Sequence, residues 1–215
     1  MNAEAYKDLT RREFDRAASQ FDNDDPSIYN MCRKDYPDIL AEVRKESFHE
    51  LLDAGCGTGA MVKLLAKDVP GKEYYGIDLS EKMIEVAREN GETIHFRQGD
   101  CENLPYSDNS FDVVTCSMSF HHYPHVEDFF QSVSRVLKPG GRFILRDMTS
   151  NSVFVRWIVN HIELPLVNLA GKGDVHLYSL EEVRRLAEQV GLQMEISEAR
   201  KGMRLHAVMR KPAIE

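Results

Sequence analysis

From about residue 48 the chain alternates short apolar runs with stretches whose apolar residues recur every three or four positions. The apolar runs predict strands over 48–53, 74–79, 93–97, 111–116, 142–147, 192–197 and 204–210. Between them, Met61, Leu64 and Leu65 share one face of a predicted helix over 60–67. Ser80 reads as the N-cap of a helix over 81–90 carrying Met83, Ile84 and Ala87, with Gly91 as its stop. A further helix over 126–137 ends at Lys138-Pro139-Gly140-Gly141. Ser179-Leu180-Glu181-Glu182 has the capping-box spacing, and Gly191 ends the helix it starts. Residues 1–47 are polar and read as helical pieces, broken at Asp22-Asn23-Asp24-Asp25-Pro26. No internal repeat or low-complexity tract interrupts this order.

Strands alternating with helices predict an α/β sheet, mostly parallel, with helices on both faces. Short returns near the C-terminus allow one antiparallel strand. Ligands of such sheets bind beyond the carboxyl ends of the strands, where strand order reverses. A chain of 215 residues suits one domain with elaborations. Its net charge of −8 argues against a nucleic-acid partner, which needs a basic face. The four cysteines, 32, 56, 101 and 116, form no C-x-x-C pair, and the N-terminus lacks an apolar leader. Reduced thiols in a cytoplasmic setting are therefore expected. The most apolar late segment, 153–170, is interrupted by Arg156, His161, Glu163 and Pro165, so no membrane span is expected.

The chemistry concentrates at Asp53-Ala54-Gly55-Cys56-Gly57-Thr58-Gly59, between a predicted strand and a predicted helix. Glycines there let the backbone approach a ligand, and the helix start offers unpaired N–H groups. Gly55 to Ala60 also satisfies the loose dinucleotide pattern, and Asp78 lies where its ribose-binding acid belongs, so the turn alone leaves NAD open. Asp53 favours S-adenosylmethionine. A carboxylate beside a pyrophosphate is repelled, whereas one beside an ammonium and a sulfonium is attracted. Asp78 ends the second strand and can accept from both ribose hydroxyls, or cap the next helix. Asp100, in Gln98-Gly99-Asp100-Cys101, can accept from an adenine amino group while the Cys101 N–H donates to a ring nitrogen.

With these residues the chain resembles class I S-adenosylmethionine-dependent methyltransferases, in particular the ubiquinone/menaquinone-biosynthesis-like group. The resemblance rests on residues 51–59, Tyr75-Gly76-Ile77-Asp78-Leu79-Ser80, Gly99 to Tyr106, Ser110-Phe111-Asp112-Val113-Val114 and Val136 to Gly141, in that order. It implies a Rossmann-like seven-stranded sheet with one antiparallel strand. Phe14-Asp15-Arg16-Ala17-Ala18-Ser19-Gln20-Phe21-Asp22 resembles a segment that many relatives carry, implying an N-terminal helical lid over 1–47. The cofactor domain would then occupy 48–215, with a helical insertion at about 148–178 that matches no specific pattern. The resemblance implies cofactor contacts at Asp53, Gly55, Gly57, Asp78 and Asp100, with Leu79, Met83, Cys101 and Ser117 flanking them. Cys56 and Gly59 belong to the same turn and are placed with it at the cofactor. The family role of Cys56 is packing, and no nucleophile is expected there.

The chemistry implied is in-line attack by an O, N, C or S atom of a small-molecule acceptor on an activated methyl group, chiefly by alignment. The end of the fourth strand, Cys116 to Tyr123, should face that methyl group. His122 and Tyr123 are the first candidates for shaping the acceptor site or moving a proton, against a role in bonding the loop. His121-His122-x-x-His125 lacks a further ligand in sequence, so no metal is expected. Asp147 is expected to be structural, while His161, His176 and Tyr178 in the insertion can cover the acceptor. The stripe Phe154, Trp157, Ile158, His161, Ile162 reads as a packed lid or core face. If exposed, it would suit a homodimer contact or an apolar acceptor. The alternatives to an enzyme acting on a small molecule are an inactive S-adenosylmethionine-binding sensor or partner and a nicotinamide-dependent oxidoreductase.

Overall fold

The computed structural model describes residues 2–19, 32–89, 91 and 93–213. The expected break at Asp22–Pro26 and the end of the Phe14–Asp22 segment lie outside the described residues. The strands are β1 (Glu50–Ala54), β2 (Glu73–Asp78), β3 (Ile94–Gln98), β4 (Phe111–Ser117), β5 (Leu137–Met148), β6 (Gln193–Arg200) and β7 (Arg204–Arg210). The helices are α1 (Ala3–Ala17), α2 (Tyr36–Val43), α3 (Ala60–Asp68), α4 (Glu81–Glu89), α5 (Val126–Val136), α6 (Val153–Ile158), α7 (Leu164–Leu169) and α8 (Leu180–Gln189).

The seven strands form one sheet in the order β3-β2-β1-β4-β5-β7-β6. β7 runs antiparallel to both of its neighbours, and the other pairs are parallel. Order reverses between β1 and β4, so the β1 carboxyl end, with its glycine turn, opens at the switch point.

Side chains on successive strand positions point to opposite faces, and the two cores follow that period. Leu52, Val114, Leu145 and Ala207 pack on one face with α5 and α8. Leu51, Val113, Ile144 and Val208 pack on the other with α2 and α3. The Ser179–Glu182 capping box is formed, with both reciprocal bonds present. A buried ion pair from Arg146 to Asp35, at 2.6 Å, fixes the start of α2 against the sheet.

Two expectations change. β5 starts at Leu137, five residues before the expected strand, because Leu137 pairs with Phe111 before Arg142 pairs with Val113. The expected turn at Lys138–Gly141 is thus an irregularity within the strand, held by Lys138 against Asp112 at 2.9 Å and against Glu50. Residues 148–178 carry α6, α7 and a π-helical turn at Val159–Glu163. Their apolar stripe, however, is not packed: Phe154 is 70% exposed and Trp157 52%. Among the described residues, no helix is long and apolar enough to cross a membrane.

Candidate functional site

The glycine turn folds back over the end of β2. The N–H groups of Gly55 and Cys56 both donate to the Ile77 carbonyl, at 2.9 and 3.0 Å. The Gly57 N–H donates to Asp78 Oδ2 at 2.8 Å. Gly55 adopts φ +74°, and a Cβ there would lie 2.0 Å from Ser119 Oγ. Gly57 adopts φ +53° with open space where a Cβ would stand, and it lines a cavity.

That cavity brings together Asp53, Gly55, Cys56, Gly57, Asp78, Leu79, Met83, Asp100, Cys101, Ser117, His122 and Tyr123. Gly59 is not among its lining residues. It starts α3 in a left-handed conformation, and the Phe96 ring lies 2.6 Å from where its Cβ would be. Its place is thus at the helix start, against Phe96.

Three carboxylates reach the cavity from successive strand ends. Asp53 is buried and accepts from Thr115 Oγ1 at 2.9 Å. Burial raises its pKa to about 7; the Thr115 hydrogen bond pulls it down and the Asp78 charge pushes it up. Asp78 also accepts from the Ser80 N–H at 2.9 Å, and burial holds its pKa above the usual range. Asp100 accepts from the Glu102 N–H at 2.9 Å and from Lys7 Nζ at 2.7 Å. Cys56 is buried, and burial raises its thiol pKa well above the ordinary value, in keeping with a packing role. The Ser117 hydroxyl is buried and makes no hydrogen bond among the described residues.

At the other side, Tyr123 Oη lies 2.7 Å from Ser119 Oγ. His122 is buried and meets Phe14 edge-on, with ring centroids 5.2 Å apart. Burial and the neighbouring His121 pull its pKa down to about 4, so its ring is neutral at pH 7. His121 behaves oppositely. Burial works to lower its pKa, but Asp147, 2.6 Å from Nδ1, and Asp174 shift it upward. Asp147 therefore anchors His121, as well as accepting from the Met148 N–H at 2.6 Å. Of the insertion residues expected over the acceptor, His176 bonds Glu182 at 3.0 Å, Tyr178 packs on Phe120, and His161 is exposed.

Several cavity residues escaped the sequence reading. Lys7 and Thr10 line it from the face of α1 that also carries Phe14 of the expected lid segment, and the spacing of three and four is the signal that could have found them. Lys7 bridges Asp100 and Glu102, while Thr10 Oγ1 donates to the Gly173 carbonyl at 3.2 Å. Ser80 Oγ bonds Asp15 at 2.6 Å. Cys32, Tyr36 and Met61 also line the cavity, and no local motif marks them.

Residues 52–145 match the methyltransferase domain family. The chain is 41% identical over 112 residues to an uncharacterized methyltransferase, YcgJ, of Bacillus subtilis, covering 50% of this chain and 43% of that protein. It is 29% identical over 178 residues to demethylmenaquinone methyltransferase of Thermotoga maritima, covering 78% and 76%. The match thus spans less than half the length of the first of these relatives. Among solved structures, the fold is similar to that in a complex between the Haloferax volcanii Trm112 methyltransferase activator and the putative methyltransferase, with TM-score 0.76, 22% identity and coverage of 93% and 98%.

Proposed function

We propose that this chain, which carries a class I S-adenosylmethionine-dependent methyltransferase domain over residues 52–145, methylates a small-molecule acceptor in the cavity at the β1 and β4 strand ends. The observation that carries the reading is the convergence of Asp53, Asp78 and Asp100 on one cavity beside the open backbone of Gly57.

S-adenosylmethionine is the cofactor of this domain, and the residues present fit it. The buried Ser117 hydroxyl, which makes no hydrogen bond among the described residues, offers a polar contact, and the open space beside Gly57 leaves room for the ligand. When bound, the cofactor supplies a sulfonium-activated methyl group. Asp78, already fixed by two backbone N–H donors, keeps acceptor capacity for the ribose hydroxyls. Asp53 would hold the cationic end of the amino-acid moiety, and Asp100 and Cys101 the adenine. Leu79 and Met83, which line the cavity, would pack beside the nucleoside.

On the acceptor side, His122 and Tyr123 orient the substrate. Burial keeps the His122 ring neutral, so it adds no charge beside the acceptor. Apolar walls from Phe14, Tyr36 and Met118 suit an apolar or ring-bearing acceptor, and the likeness to a demethylmenaquinone methyltransferase supports that class. The net charge of −8 speaks against a nucleic-acid acceptor. Helix α1 acts as a lid, tied down through Lys7, Thr10 and Asp15.

The test is incubation of the full chain with methyl-labelled S-adenosylmethionine and a panel of phenols, quinols, amines and thiols. Acceptor-dependent formation of S-adenosylhomocysteine is expected. Tight cofactor binding with no transfer to any acceptor would favour an inactive binding module.

A further inference from the structure

His121 and His122 come from the turn after β4, and Asp174 from the segment leading into α8. Asp174 Oδ1 lies 3.5 Å from His121 Nε2 and 3.3 Å from His122 Nδ1. Bonds of about 2.0–2.1 Å in a tetrahedral site place donor atoms roughly 3.3–3.4 Å apart, which both separations match. All three ligand atoms lie within 4.8 Å of one another, and closing the His121–His122 edge to that spacing would call on a turn of the His122 ring. His122 Nδ1 is buried without a hydrogen bond among the described residues. On the far side of His121, Asp147 grips Nδ1 at 2.6 Å, fixing the ring so that Nε2 faces Asp174. A carboxylate behind a ligating histidine is the usual outer support of such a site.

We propose that His121, His122 and Asp174 form a binding site for a first-row divalent transition metal, with Zn2+ the best match to two imidazoles and one carboxylate. Two imidazole nitrogens disfavour Mg2+ and Ca2+, which prefer oxygen. Three protein ligands leave a fourth position open, as in sites that hold a reacting oxygen. Of the three ligands, among the described residues, His122 alone also lines the cavity, so the ion would fix the ring that borders the acceptor. This consequence for the substrate rests on the methyl-transfer reading; the metal site itself does not. His125, which the sequence placed in the same histidine run, is exposed and donates its N–H to Glu102 at 2.6 Å, outside the cluster.

The experiment is titration of the chelator-treated full chain with Zn2+ by calorimetry, and with Co2+ by visible absorption. One ion per chain and the intense bands of four-coordinate Co2+ are expected. Asp174→Asn should weaken Zn2+ binding at least tenfold, and Asp147→Asn by about 10–100-fold. His125→Ala should bind as the natural chain does. If Asp174→Asn does not fold, the Co2+ spectrum of the natural chain decides alone. Absence of Zn2+ uptake, or equal affinity in a folded Asp174→Asn, would overturn the proposal. Methyl transfer undiminished in the metal-stripped chain would remove the acceptor role. Metal binding without any transfer would instead count against the methyl-transfer reading.

Discussion

The Asp78 carboxylate holds the Gly57 N–H at 2.8 Å, tying the glycine turn after β1 to the end of β2. One side chain thus shapes the turn and faces the cavity. Asp78→Ala should weaken S-adenosylmethionine binding by roughly 1–3 kcal/mol through loss of charge-assisted hydrogen bonds. Calorimetry on the folded variant checks this, and unchanged affinity would remove Asp78 from the ribose site.

Asp53 gives the site a pH dependence. Its pKa is raised to about 7 by burial, so it is largely protonated below that value and ionised above it. A cationic ligand binds the ionised form, so affinity should fall as pH drops through 7, approaching about tenfold per unit. Cofactor titrations between pH 5.5 and about 8.5 in buffers of differing ionisation enthalpy should show proton release on binding near neutrality. Asp53→Asn should flatten the profile. An equally steep profile in that variant would assign the proton elsewhere.

Gly55 cannot accept a side chain without displacing Ser119 and Tyr123, and its φ of +74° disfavours one in any case. Gly55→Ala should cost about 1–3 kcal/mol in strain, before any steric overlap. A lowered melting temperature together with weakened cofactor binding is expected. A variant with unchanged stability would show that the turn relaxes freely.

Lys7 fastens α1 across Asp100 and Glu102. If α1 is a lid as proposed, Lys7→Ala should speed cofactor release several-fold while leaving the sheet intact. Stopped-flow release by competition with S-adenosylhomocysteine measures it, and an unchanged rate would argue against α1 as a lid.

The glycine turn, the strand-end carboxylates and the Ser179 cap were legible in the sequence because each is built from neighbouring residues. The sheet followed from strand–helix alternation and the resemblance. What stayed hidden joins distant residues. Lys7 meets Asp100 across 93 positions, and nothing near either one announces the pair. Asp174 reaches the two histidines only because the segment before α8 runs past the turn after β4, where the Val175 N–H bonds the His121 carbonyl at 2.8 Å. The early start of β5 is a tertiary effect as well, since pairing with Phe111 overrides the Pro-Gly-Gly turn signal.

If His122 borders the acceptor as proposed, His122→Ala should lower turnover more than cofactor affinity. Paired measurements of kcat and cofactor Kd separate the two. The reverse pattern would place His122 in the cofactor site.

If Asp53, Asp78 and Asp100 act as proposed, they select a cationic, phosphate-free cofactor. This selection is tested most directly by calorimetric titration of the full chain with S-adenosylmethionine, S-adenosylhomocysteine and NAD under one set of conditions. The account predicts one-to-one binding of the first two and none of NAD. Tight binding of NAD, with no response to the other two, would contradict it.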